Sequence, residues 1–220
     1  MRNKTAVQLE KSNKTQKEKS MHSACKPSKV VGLLTLTAVA LILSAPAEAK
    51  TAKTIPTGTN ASFTLDSLTF YGDFDNSPPG NDIAHPVKHS GAGGVGTFAD
   101  PITFAVAPQV QNKVKVGEII YIPSLQKYFI MEDDCTSSGP GGVAVQGEGC
   151  DGELKNGVNE FDIWIGATSK GDNPGGSASN SQMSRCEDTL TASNVKVIMH
   201  ATSGQKVNTT PLLNHGKCIK

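Results

Sequence analysis

The chain is 220 residues long, 37% hydrophobic and 19% charged, and its formal net charge of +1 conceals two unlike segments. Residues 1–29 carry Arg2 and seven lysines against Glu10 and Glu18, whereas residues 50–220 carry 13 basic and 17 acidic side chains, a net charge of −4. An acidic folded part argues against nucleic acid or an anionic membrane surface as the main partner, and its length suffices for one domain with a real core.

The basic head leads into an apolar run, residues 30–45, and then into Ala47-Glu48-Ala49. Head, apolar middle and A-x-A exit predict a secretory signal peptide over 1–49, with Met21 as an alternative start. The run is somewhat short for the ~20 residues of a membrane span. No later run is long enough, so the mature protein is expected to be secreted, to a periplasm or the medium, with no membrane partner.

Residues 50–61 are polar and aperiodic, a flexible lead-in to a domain over 62–220. Short runs rich in Ile, Val, Phe, Thr and Tyr predict strands at 63–71, 102–107, 118–123, 127–132, 160–165 and 195–199, separated mostly by Gly, Pro, Asn or Ser clusters. The link 123–127 has the size of a hairpin turn. No sustained i, i+3, i+4 apolar stripe marks a major helix. Six strands with long loops define an all-β class that closes most easily as a small barrel. Loops at 76–96 and 135–159 are long enough to be functional, while the nearly low-complexity 169–184 reads as disordered.

Cys25 lies in the removed segment, leaving Cys135, Cys150, Cys186 and Cys218. An even count in an exported chain predicts two disulfides. Of three connectivities, 135–150 with 186–218 closes the shortest loops, each bridge contributing about 3 kcal/mol if unstrained. No C-x-x-C spacing supports a metal site.

Several motifs read better as structure than as chemistry. Gly91-Ala-Gly-Gly-Val-Gly96 has the G-x-G-x-x-G spacing but is not expected to open a helix, so tight backbone approach explains it better than a nucleotide. Asp73-Phe-Asp75 starts like a calcium loop, but Pro79 occupies a ligand position and no closing glutamate follows. His85 and His89 straddle Pro86 and read as solvated loop histidines. Glu132-Asp133-Asp134 reads as an acidic strand end, with Asp134 the one that would line a groove.

Asp162 carries the strongest functional signal. In Glu160-Phe-Asp-Ile-Trp-Ile, alternation places Glu160, Asp162 and Trp164 on one face and Phe161, Ile163 and Ile165 on the other. A partly desolvated aspartate beside the single tryptophan suits a general acid next to a sugar-stacking ring.

Thr69-Phe-Tyr-Gly-Asp73 followed by Phe161-Asp162-Ile163 resembles the double-psi β-barrel group, which includes expansins, family 45 glycoside hydrolases, RlpA-like proteins and the lytic transglycosylase MltA. The strand at 116–123, Met131-Glu-Asp-Asp134 and Phe161-Asp-Ile-Trp-Ile-Gly166 also resemble the three-aspartate domains of bacterial cell-wall proteins. The resemblance implies a six-stranded double-psi barrel that acts on or binds a cell-wall polysaccharide, glucan or peptidoglycan, as a monomer without a cofactor. Asp162 is then the acid, Asp73 or Asp134 the base, and Tyr71 and Trp164 sugar contacts. Expansins, which generally lack the base, imply a non-catalytic alternative, and a scaffold for protein contacts is a third. The chain departs from family 45 after Asp73, where Phe74-Asp-Asn-Ser-Pro-Pro-Gly80 replaces cysteines and basic residues.

Overall fold

The computed structural model describes residues 50–138, 144–145, 149–167 and 174–219. The signal peptide expected over 1–49 lies outside the described residues, as does part of the 169–184 stretch. The strands are β1 (Ala61–Gly72), β2 (Ile102–Val106), β3 (Ile119–Ile122), β4 (Lys127–Asp134), β5 (Ser137–Ser138), β6 (Ala144–Val145), β7 (Glu160–Gly166), β8 (Ala192–Met199), β9 (Leu213–Asn214) and β10 (Lys217–Cys218). Among the described residues two α-helices join them, α1 (Cys150–Lys155) and α2 (Asn180–Leu190), with a short 3-10 turn at Pro108–Val110.

Six of these strands close a barrel in the order β1-β7-β2-β4-β3-β8, and they are the six expected from the sequence. The pairs β1/β7 and β2/β4 are parallel; the other barrel pairs are antiparallel. β3 and β4 form the expected hairpin, with Ile122 opposite Lys127 and Gln126 in the left-handed region. All five residues of β2 are buried, which a wall strand covered on both faces requires. The interior is filled by Leu65, Leu68, Phe104, Ile120, Ile122, Phe129, Met131, Phe161, Ile163 and Val197.

β1 pairs with β8 along its first part and with β7 along its second, and its burial changes phase on the way. Phe63 and Leu65 point inward beside β8, then Leu68 and Phe70 do so beside β7. The change falls at Asp66–Ser67, and it turns Ser67, Thr69 and Tyr71 onto the face where the cleft lies.

Both disulfides form with the expected connectivity. Cys135–Cys150 and Cys186–Cys218 have Cα–Cα separations of 5.4 and 5.0 Å, within the range that a bridge spans without backbone movement.

Two expectations need correction. Residues 135–159 are not all loop: α1 occupies part of them, and β5 pairs with β6. Residues 180–184, read as disordered, begin the eleven-residue α2. Its stripe of Met183, Cys186, Glu187 and Leu190 is short and interrupted by an acid, so it fell below a test for sustained apolar periodicity. A Ser179–Gln182 capping box starts it.

The glycines of 91–96 serve close approach. A Cβ on Gly94, at φ +100°, would lie 2.1 Å from the Pro101 carbonyl oxygen, and no helix follows directly. Nearby, Lys127 is buried with its Nζ donating to the Asn208 carbonyl at 2.5 Å, and burial pushes its pKa down to about 8.

Candidate functional site

The parallel register of β1 and β7 brings the two acidic stretches of the sequence side by side. Ser67 stands opposite Glu160, Thr69 opposite Asp162 and Tyr71 opposite Trp164. Each rung is also a side-chain contact. The Ser67 hydroxyl donates to Glu160 Oε2 at 2.7 Å, and the Thr69 hydroxyl donates to Asp162 Oδ1 at 2.9 Å. The Tyr71 and Trp164 rings meet edge-on with centroids 5.4 Å apart.

The ladder opens at one end and closes at the other. Glu160 and Asp162 are partly exposed, whereas Trp164 is only 2% exposed. On its far side Asp162 faces Ala105 of β2, and Ala105 in turn pairs with Asp133 of β4. A methyl group between two aspartates leaves room, and a cleft of about 490 Å³ occupies it. Its lining includes Thr69, Tyr71, Asp75, Ala105, Asp133, Asp134, Glu160 and Asp162, with Cys135 and Gly149 at the bridged loop.

Desolvation and like charge govern these acids. Burial pushes the Asp162 carboxyl up to about 7; Glu160, Asp75 and Asp133 add to the rise, and the Thr69 hydroxyl opposes it. Burial likewise raises Glu160, Asp133 and Asp75. Beneath them, α2 carries Glu187, buried and pushed by burial up to about 8, with Asp75, Asp162 and Asp188 contributing. A carboxyl of this kind holds its proton at neutral pH and becomes a donor rather than an acceptor.

Of the residues expected at a site, Asp162, Asp134 and Tyr71 line this cleft, and Asp73 and Trp164 do not. Asp73 follows β1, where its N–H bonds the Gly166 carbonyl. The chain then turns back on itself through the Asn76 N–H and the Gly72 carbonyl, and Asp75 reaches the cleft instead, accepting the Gly72 N–H at 2.8 Å. Trp164 offers no exposed ring face; it buttresses Tyr71, whose hydroxyl donates to Asp133 Oδ2 at 2.9 Å.

The acidic triplet of β4 is not a strand end facing water. Glu132 is fully buried and Asp133 nearly so. The β2/β4 register skips at Glu132, which breaks the alternation expected from the sequence. Glu132 Oε1 accepts the N–H groups of Val87, Lys88 and His89, and Oε2 lies 2.7 Å from His89 Nδ1. Asp133 accepts the Ala84 N–H, and Asp134 Oδ1 lies 2.8 Å from His85 Nε2. The histidines, expected from the sequence to be free loop side chains, are partly buried and paired with acids; both clamp the 76–101 loop to β4.

Glu160, Asp75, Asp133 and Glu187 were not singled out as site residues by sequence. Glu160 shares the period-2 face of Asp162, and Glu187 is a carboxyl on an otherwise apolar helical stripe; both signals were present. For a metal, the one close donor set among the described residues is Cys135, Cys150 and Glu160. Its two sulfurs are bonded to each other, so they offer no thiolate.

Comparison with known proteins places residues 63–219 within the model of a family described as the DDB_G0273701 N-terminal domain. The chain belongs to this family. A Dictyostelium discoideum member, uncharacterized protein DDB_G0273701/DDB_G0273221, is 37% identical over 156 residues, covering 70% of this chain. The match spans 59% of that relative's length. No solved structure shows a significant match to the chain. The matched region contains the barrel apart from Ala61 and Ser62 of β1, together with the cleft and both disulfides.

Proposed function

We propose that the protein is an exported polysaccharide-acting protein that holds a glycan in the β1–β7 cleft, with Asp162 as proton donor. Asp162 carries the reading: it is a carboxyl lining an open cleft, with a pKa of about 7 set by burial and neighbouring acids. General acid catalysis at neutral pH needs such a group. Asp162 would pass its proton to the glycosidic oxygen as the C–O bond breaks, while a second carboxylate takes a proton from the attacking water. Between the two bases expected, Asp134 lines the cleft and Asp73 does not, so the role goes to Asp134. Tyr71 contacts the sugar, with Trp164 supporting it from behind.

Export is supported by the basic head, the apolar run and the A-x-A exit, and two disulfides are compatible with an extracellular destination. A double-psi topology is supported by two parallel pairs within an otherwise antiparallel six-stranded barrel.

A second reading, binding without cleavage, is favoured by Asp73 standing off the cleft, because the base of the family 45 pattern is then displaced. The test is reducing-end release from a panel of glucans, peptidoglycan and a deacetylated amino-sugar polymer by wild type, Asp162→Asn and Asp134→Asn. The catalytic reading expects product from wild type and a loss of about 10²–10⁴-fold in each variant. Equal release by Asp162→Asn removes Asp162 as the acid, and wild-type binding without product supports the second reading.

A further inference from the structure

Charge at the cleft is one-sided. Its lining holds five carboxyl groups, those of Asp75, Asp133, Asp134, Glu160 and Asp162, and no lysine, arginine or histidine. The segment that supplies Asp75, Asn76 and Ser77 to the lining extends the bias. Residues 72–84 contain Asp73, Asp75 and Asp82 and no basic residue. Among the described residues, His85 on Asp134 Oδ1 is the one base bonded to a lining acid. Lys127, the buried lysine of the barrel, is engaged instead by the Asn208 and Val95 carbonyls.

A second observation comes from behind the wall. Glu187 is 8% exposed, and its Oε1 is buried without a hydrogen-bond partner. That oxygen stands beside Gly72, where a Cβ would lie 3.4 Å from it, and Gly72 donates its N–H to Asp75 of the cleft. The acids that line the cleft repel one another, the protonated Glu187 behind them supplies no counter-charge, and an entering positive charge relieves them. Among the described residues no three of these carboxyl groups lie close enough together to form a metal site. Acids spread along a cleft match positive charges spread along a chain.

We propose that the cleft selects a glycan bearing free amines, an amino-sugar chain, over neutral and acidic chains. This inference rests on the polysaccharide reading above and adds the charge of the substrate to it. Ammonium groups on successive rings would meet Glu160 at the open end of the ladder and Asp75 and Asp133 across it, while Asp162 keeps its proton for the glycosidic oxygen. Uronate chains and muropeptides bring carboxylates to the same place and are repelled.

The test is calorimetric binding to wild-type protein at pH 5.5 and low salt, so it does not depend on a variant folding. The ligands are the tetramers of glucosamine, N-acetylglucosamine, glucose and galacturonate, and tetralysine. The expected result is glucosamine tetramer binding at least tenfold tighter than the others, weakened severalfold by 0.2 M salt and by Glu160→Gln. If the acetylated or glucose tetramer binds as tightly, the charge selection is overturned while the polysaccharide reading stands. If tetralysine binds as tightly as glucosamine tetramer, the site reads charge alone, and both the amino-sugar assignment and the polysaccharide reading fall. Failure of every glycan to bind also overturns both.

Discussion

Glu132 and Asp162 are carboxylates on strands of one barrel, and the barrel treats them in opposite ways. Burial raises the proton affinity of both. Around Glu132, the His89 ring and the N–H groups of Lys88 and His89 more than offset burial and hold its pKa below the usual carboxylate value. Around Asp162 the Thr69 hydroxyl is the one opposing contribution, and three neighbouring acids reinforce burial. The difference lies in the backbone. The 76–101 loop carries unpaired N–H groups and can aim three of them at Glu132, whereas β7 sits inside the barrel wall, where ladder bonds have consumed its own. Donor supply, rather than depth, decides which of the two acids is ionised.

The largest effect expected from this contrast is at Glu132. Glu132→Ala removes the acceptor that gathers Val87, Lys88 and His89 and leaves His89 facing Asp100 alone. A loss of about 3–5 kcal/mol is expected in the denaturant-unfolding midpoint, as when one partner of a buried ionic network is deleted. A loss under about 1 kcal/mol would mean that the loop is held elsewhere.

The pH dependence of stability separates the two acids next. Asp162 and Glu187 have folded pKa values of about 7 and about 8 against ordinary values of 3.8 and 4.5. Between those limits the folded chain binds more protons than the unfolded one, so stability falls as pH rises from about 4 to about 8. His89 acts in the same direction. Burial pushes it down, but Asp100 and Glu132 more than offset this, and its contribution is lost as pH rises through the raised folded value. Glu132 has the opposite sign: its contribution is lost as pH falls through its depressed folded value. Asp162→Asn is expected to flatten the alkaline slope and to gain about 1–3 kcal/mol at pH 8 relative to wild type. An unchanged slope in thermal melts across this range would contradict the protonated state assigned to Asp162.

The six barrel strands were legible because each is a short β-branched or aromatic run bounded by turn residues, and both disulfides followed from an even cysteine count and short loops. Asp162 was legible from its face. What escaped depends on contacts distant in sequence. Nothing near Glu132 announces that residues 87–89 will converge on it, and the skip in the β2/β4 register defeats alternation at that point. Asp73 and Asp75 are equivalent by composition, and only the turn at Gly72–Asn76 decides which reaches the cleft. Trp164 was placed on the correct face but read as exposed, because alternation reports direction and not what packs on top.

The smallest effect concerns α2, which brings Glu187 beneath the cleft. Ser179→Ala breaks the capping box and should cost about 1 kcal/mol, read from the same unfolding curves. A neutral result would mean that packing of Met183, Cys186 and Leu190 alone fixes the start of the helix.

The most direct measurement is the titration of Asp162 itself, followed through its side-chain carboxyl carbon by NMR with Asp162→Asn to assign the signal. The account predicts a midpoint near 7, well separated from the other aspartates. A midpoint at or below 4 would show an ordinary ionised carboxylate in the cleft, and the proton donor on which the functional reading depends would be gone.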